Sequence, residues 1–572
     1  MAFTHVLQGL ALFGLLALLC QIAPARGESE ELAVNSKLAA LEKRINELEA
    51  ENDRNPERRR KLLSCTDGLG ADGFPCDHTN LVAAGGASVT LNTGNTAFLL
   101  ISSALVMLMT PGLGMFYGGM AGAENVGNVI MMSMVCISLV TLQWVLVGYS
   151  FAFGPGDRGF GSFRWTALTI VGTQPSAAYT GTLFAKLSAG GGGSVPHYAF
   201  VAFQCMFAQI TPALISGAVA GRIKFSAYIL FVLLWTTLVY DPLAHWVWAL
   251  TVNEDGIIVP QGWIFHQGAL DFAGGNVIHI SSGFSALVAC IIIGKRIDNK
   301  RLVPHNVPMV VTGASLLWFG WFGFNAGSEG AADGIAAVAF LNTHISASVA
   351  SLTWMALEYI TDKCVTAVGF STGLVVGLVC ITPGCGYVTP MASIAFGVVG
   401  AMAAYFFLYV KKFLKYDDTM DVFACHGIGG VTGALLTGLF AEPQINNIVD
   451  LDGRVVSQGG FYGSGRLLGF QVMAIVVTAV YASVGSTVIL FALRYTIGLR
   501  PTEEVEGKLD SSIHGGDAYD LKSRFPTTSS SIQPIHAAAP SPLSLTLDSQ
   551  IGASTKVYRF SQEGQAGASI GV

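Results

Sequence analysis

Two histidines and an aspartate stand in stretches that are otherwise almost purely apolar. Asp271 opens DFAGGNVIHI, and His279 follows it by eight positions. His426 lies in MDVFACHGIGG, with Asp418 and Asp421 just before it. Ionisable groups inside a membrane segment are costly, and each is a functional candidate by default. A neutral imidazole carries one donor nitrogen and one acceptor. Two of them in contact could share one proton position and pass it on. A lone buried histidine more often satisfies a backbone carbonyl, and His344 in FLNTHISAS, which has no matched partner, takes that reading. The pair lacks the clustered third ligand that a zinc or iron site needs. A membrane-embedded metalloenzyme is therefore disfavoured, and no cofactor is expected.

Aromatic clusters are the second unusual feature. Phe203 and Phe207 in AFVAFQCMF are spaced i, i+4, on one helix face, and so are Phe324 and Ser328 in FGWFGFNAGS. Trp248 ends the run AHWVW. Aromatics at a membrane boundary are usually belt residues, which is the reading for Trp246 and Trp321. Aromatic faces converging at an outer mouth can instead hold a small cation, with an attraction of up to about 2 kcal/mol when desolvated.

The elements that must position these groups are membrane helices. Of 572 residues, 52% are hydrophobic and only 12% charged, with 68 glycines. Soluble domains carry about 25% charged residues, so an all-α polytopic membrane protein is expected. The net charge of -6 is spread out and gives no sign of nucleic-acid binding. About eleven apolar segments are long enough to span: Thr96–Met120, Val126–Phe153, Tyr198–Gly221, Phe225–Leu250, Asp271–Gly294, Pro308–Gly327, Gly334–Ile360, Val365–Gly384, Met391–Val410, Met420–Ala441 and Leu467–Leu493. His279 and His426 each sit on the last span of a five-span block. Two inverted five-helix repeats plus a final helix would bring those spans together at mid-membrane. Glycines 274 and 275 read as allowing close helix approach.

The ends organise as follows. Residues 1–26 have the apolar stretch and small-residue site of a cleaved signal peptide, which places the N-terminus outside and, with an odd number of spans, the C-terminus in the cytoplasm. The inner loops then hold Arg222, Lys224, Lys295, Arg296, Lys300, Arg301, Lys363, Lys411, Lys412 and Lys415, and the outer loops only Arg158, Arg164, Lys186, Arg454 and Arg466. That is the positive-inside bias. Within 27–64, Val34, Leu38, Leu41, Ile45 and Leu48 form the seam of a short coiled coil; a single solvated helix is the alternative. Segment 65–95 is an extracellular linker in which Cys65 and Cys76 are either disulfide-bonded or free. Cys136, Cys205, Cys290, Cys364, Cys380 and Cys425 lie in apolar runs and read as small buried hydrophobes. Residues 96–498 form the membrane domain, 499–522 an acidic cytoplasmic tail, and 523–572 a Ser/Pro/Ala/Gly-rich segment expected to be disordered.

DFAGGNVIH with SSGFSALVACIIIGKR, GWFGFNAGS, ITPGCGY, DVFACHGIGG and GLRPTEE…HGG, in this order, resemble the ammonium transporters of the Amt/Mep type, from about Thr96 to Tyr519. The resemblance implies eleven helices around a narrow pore and assembly as a homotrimer in the plasma membrane. It implies an outer cation site at Phe203, Phe207, Trp248 and Ser328, a stacked phenyl gate at Phe207 and Phe324, and twin pore histidines at His279 and His426. Asp271 corresponds to the carboxylate needed for transport, thought to organise the site rather than bind the ion. Trp248 favours Amt over the sister Rh proteins. Two departures stand out. The first inner loop, AGAENVG, lacks the basic residue often seen there, and Ser512 occupies the place of a phosphorylatable threonine found in some members.

The implied substrates are ammonium, ammonia and methylammonium. Moving a bare ion of this size through the low-dielectric centre carries an idealised cost of about 20 kcal/mol. Parting the proton from neutral ammonia avoids most of it. Ser328 can accept a hydrogen bond from ammonium that potassium cannot donate. The competing expectation is a sensor that binds ammonium and signals through its tail to a cytoplasmic regulator.

Overall fold

The computed structural model describes residues 81–82, 88–89, 91–169, 171–173, 195–252, 258–297, 303–448 and 455–519. The expected signal peptide, coiled coil, Cys65–Cys76 pair and distal segment lie outside them. Eleven main helices occupy the eleven expected places. In chain order they are α1 Thr93–Met120, α2 Val126–Phe153, α3 His197–Val219, α4 Phe225–Trp248, α5 Gly275–Ile293, α6 Val307–Gly327, α7 Gly334–Asp362, α8 Ala367–Ile381, α9 Pro390–Leu414, α10 Phe423–Phe440 and α11 Arg466–Thr496. The short strands β1 (Leu81–Val82) and β2 (Ser88–Val89) pair antiparallel, as do β3 (Leu250–Val252) and β4 (Ile258–Pro260).

Polar caps start several helices. Asn92, Asn306 and Asp333 accept N–H groups in the first turns of α1, α6 and α7, and Thr366 does so for α8. Among the described residues, ten helices are long and apolar enough to cross a membrane; α8 has only 15 residues. The expected eighth span, Val365–Gly384, is thus too long. Thr382 still has helical backbone, but Pro383 has no N–H to continue the ladder, and residues 382–387 run in turns before Thr389, the cap of α9.

The two five-helix blocks meet at their first and last helices. The first helices, α1 and α6, pack along each other through glycines: a Cβ on Gly313 would lie 2.3 Å from the Phe116 nitrogen. The last helices, α5 and α10, cross as closely, since a Cβ on Gly283 would lie 2.2 Å from the Gly427 nitrogen. An apolar cavity between the blocks takes its lining from α1, α3 and α5 of one and α6, α8 and α10 of the other, including Leu113, Ile210, Ile278, Leu317, Val375 and His426. Large apolar side chains such as Leu352, Met391, Phe406 and Val488 point outward, as a lipid-facing surface requires. Two expectations change here. Cys364 is exposed rather than buried. His344 is exposed too, stacked on Trp318 with ring centroids 5.2 Å apart instead of bonding inside the bundle.

Candidate functional site

The start of α5 is shaped by one carboxylate. Asp271 Oδ1 accepts the N–H groups of Gly274 (2.8 Å) and Gly275 (2.5 Å), and Oδ2 those of Asn276 (2.7 Å) and Val277 (3.2 Å). A helix beginning inside a membrane has N–H groups without partners or water, and Asp271 supplies the acceptors. The helix starts at Gly275, so Asp271 precedes it instead of opening it. Gly274 needs its lack of a side chain for conformation (φ 116°), whereas Gly275 needs it for close approach, since a Cβ there would lie 2.4 Å from Pro383 Cβ. From α11, the Gln471 amide clasps both backbone groups of Leu270 at 2.9 Å. The Asp271 carbonyl accepts the Trp248 indole N–H at 2.9 Å. One residue therefore fixes both the helix entrance and an aromatic of the mouth.

The histidines come together. His279 Nδ1 lies 3.2 Å from His426 Nδ1, with the rings 5.3 Å apart at 23°. Both rings are buried and sit in π-helical turns, Gly275–Ile280 and Phe423–Ile428. Such turns often mark functional sites. A bond between two Nδ1 atoms requires one donor and one acceptor, so the two neutral rings take opposite tautomers. His279 Nε2 is buried without a hydrogen-bond partner among the described residues.

Aromatics stack next to the histidines. Phe207 and Phe324 lie face to face at 4.3 Å and 20°; Phe203 packs on Phe207 at 4.8 Å, and Trp248 meets it edge-on at 6.1 Å. Ser328 is half-buried and donates its Oγ–H to the Phe324 carbonyl at 2.9 Å. Its lone pairs are left to accept from a visiting donor. Phe324 in turn lies 6.1 Å from the His279 ring. The residues expected at the mouth, the gate and the histidine pair thus form one chain of contacts from Trp248 to His426.

Two further residues belong to this chain of contacts. Trp321, expected in an interfacial belt, is buried and stacks on His279 at 5.4 Å and 16°. Its indole N–H donates to Thr382 Oγ1 at 2.9 Å. Trp246 is half-buried and packs on Trp263 and Tyr481. Asp418 holds the matching place at α10: it precedes its histidine by eight positions and accepts the Phe423 N–H at 2.8 Å, one such bond where Asp271 accepts four. That matching offset is the signal available in the sequence.

The opposite face anchors the tail. Arg222 is fully buried and donates to the carbonyls of Gly294, Ala218 and Asp417 and to Thr419 Oγ1. Burial alone would raise the Asp417 carboxyl, but side-chain and backbone hydrogen bonds from Arg296 bring it to about 2. In α12, Leu509–Ile513, the buried Asp510 carboxylate accepts the N–H groups of Gly127 and Asn128 at 2.8 and 2.7 Å, a favourable place for an anion at the N-terminus of α2. Leu509 N–H donates to Asn125 Oδ1. AGAENVG thus holds the tail without a basic residue. Ser512 is exposed on the same short helix.

His514 makes this docking sensitive to pH. Its Nε2 lies 3.1 Å from Asn128 Nδ2, and its ring packs edge-on against Phe225. Burial lowers its pKa below the ordinary 6.5, with Asp510 pulling the other way. Docking therefore favours the neutral ring, while a free tail takes up a proton as pH falls through about 6.5. Docking is strongest above that pH and weakens as pH falls through and below it. Spin labels on the tail and the first inner loop should report longer distances on acidification, and a His514→Gln variant should lose this dependence.

Comparison with known proteins agrees over the same region. The model of the Ammonium Transporter Family matches residues 97–519. The ammonium transporter of Aquifex aeolicus (strain VF5) is 43% identical over 435 residues, 75% of this chain and 94% of its own. Ammonium transporter 1 of Schizosaccharomyces pombe (strain 972 / ATCC 24843) is 39% identical over 466 residues, 78% and 89% respectively. The crystal structure of Candida albicans Mep2 superposes with a TM-score of 0.65 at 30% identity, covering 75% of this chain and 94% of that one. A sensor Amt protein superposes with a TM-score of 0.63 at 27% identity, covering 73% and 98%. With its paired helix entrances, stacked aromatics and facing histidines, the chain belongs to the Ammonium Transporter Family.

Proposed function

We propose that the chain takes up ammonium through a pore in each subunit. The observation that carries this reading is the Nδ1–Nδ1 contact of His279 and His426 beside the Phe207–Phe324 stack. Ammonium docks against Phe203, Phe207 and Trp248 and donates to Ser328. It gives up its proton to His279 Nε2, which has no other partner among the described residues, because the charged ion faces a cost of about 20 kcal/mol beyond the gate. Ammonia then crosses the apolar cavity, and the histidine pair, with one shared proton position, relays the proton. Net movement is electrogenic.

The test is ammonium-evoked current in a reconstituted bilayer, with growth on low ammonium in cells lacking uptake as a second readout. Trp248→Ala removes a cation–π contact of up to about 2 kcal/mol, so half-saturation should rise by up to about 30-fold. No current from the intact protein would sink the proposal. A second reading, a sensor with little flux, draws support from the likeness to a sensor Amt protein; ammonium binding without vesicle uptake would favour it.

The assembly proposed with it is a plasma-membrane homotrimer, N-terminus outside and C-terminus cytoplasmic after signal-peptide removal. The Val34–Leu48 seams would bundle above the pores. Native mass spectrometry of the full chain and of a form lacking residues before Cys65 tests both; an equally stable truncated trimer argues against the bundle. The same spectra, with and without reductant, decide the Cys65–Cys76 disulfide. Phosphorylation at Ser512 would add charge beside the docked Asp510 and loosen the tail; unchanged label distances in a phosphorylated sample would reject that role.

A further inference from the structure

Glu329 follows Ser328 directly, on the tight turns that close α6, where its N–H donates to the Ala326 carbonyl. It is 1% exposed, and neither carboxylate oxygen has a hydrogen-bond partner among the described residues. Its field reaches Cys385 and Tyr387, which also feel Asp271. Both carboxylates therefore belong to the same end of the pore, but they are differently employed. Asp271 has both oxygens filled by four backbone N–H groups, whereas those of Glu329 stay open. A buried carboxylate in that state is costly, and what relieves it is a proton or a cation.

We infer that Glu329 is the anionic counter-charge of the outer cation site, drawing ammonium to Ser328. This rests on the ammonium reading above. Adjacent Cα atoms are about 3.8 Å apart, so in any rotamer the carboxylate stays within about 14 Å of a cation on Ser328. At that range, with an effective dielectric of about 20, a unit charge changes affinity about tenfold. The titratable groups around it are Asp333 in its own loop, Asp271 before α5, and Cys385 and Tyr387 after α8. Burial first, and Asp333 second, hold its pKa well above the ordinary carboxyl value. The charge is present above that raised pKa and lost below it, so affinity for ammonium falls as external pH falls through it.

The experiment measures ammonium-evoked current against concentration and external pH for the intact protein, Glu329→Gln and Glu329→Asp, with surface amounts matched. Glu329→Gln should raise half-saturation about tenfold, leave maximal current near wild type and flatten the pH dependence of half-saturation. Glu329→Asp should keep a pH dependence but shift it. Wild-type half-saturation and pH profile in Glu329→Gln overturn the inference. If that variant fails to assemble, an unshifted profile in Glu329→Asp overturns it and a shifted one supports it. No current from the intact protein defeats the ammonium reading itself, before any variant is compared.

Discussion

Asp271→Ala is expected to abolish ammonium current and to destabilise the outer end of the pore by about 5 kcal/mol. Four N–H groups lose their acceptors together. A buried donor left unsatisfied costs about 1–3 kcal/mol, and partial relaxation of the turn keeps the sum near the lower end. The loss of function follows by two routes. The entrance of α5 unwinds, which moves His279 away from His426, and the Asp271 carbonyl shifts, which frees the Trp248 indole. Asp271→Asn should fall between, because its amide oxygen replaces only one of the two accepting oxygens and its NH2 faces two donors. Thermal unfolding in detergent reads the stability and bilayer current the function. Near-wild-type current in Asp271→Ala would mean that this cap does not shape the mouth.

The sequence makes the polar exceptions legible because their cost in lipid is high wherever they point. Asp271, His279 and His426 stand out against apolar neighbours, and the structure puts the two histidines in contact. Trp321 does not stand out, because an aromatic near a span end looks the same whether it faces lipid or a pore. Only the fold, which aims Trp321 into the cavity between the blocks, brings it onto His279. Asp418 is half legible: its eight-residue offset from His426 repeats that of Asp271 from His279, but a loop carboxylate reads as solvated until the fold buries it. The docking of Asp510 on Gly127 and Asn128 joins residues nearly the whole membrane domain apart, and no local pattern announces such a contact. The eleven helix positions are clear from hydropathy. Their ends are not, because Pro383 and the Asp271 turn break helices inside membrane depth.

The two helix entrances also explain why the blocks can differ in side chains yet keep one geometry. Each block begins its last helix with a carboxylate cap, continues in a π turn that carries the histidine, and crosses its counterpart at a glycine. Each histidine sits in a π turn, a departure from regular helix that recurs at functional sites. The glycines then allow backbones to approach until ring nitrogens touch. The histidine contact is thus a product of backbone geometry in both helices, not of a single favourable side-chain pair.

His279→Ala and His426→Ala should each lower ammonium flux at least about tenfold, and the double variant should be little worse than either single. The shared proton needs both Nδ1 atoms, so removing one ring already ends the sharing and leaves the other nitrogen without its partner. Residues that act as a unit are non-additive, with coupling of about 0.5–3 kcal/mol in such cycles. The rings also touch each other, so packing losses couple as well, and the cycle is read twice, in flux and in thermal stability. A relay gives coupling in flux that exceeds the coupling in stability. Flux losses that only follow the stability losses would assign the rings to packing, and a double variant with wild-type flux and selectivity would remove the relay from the mechanism.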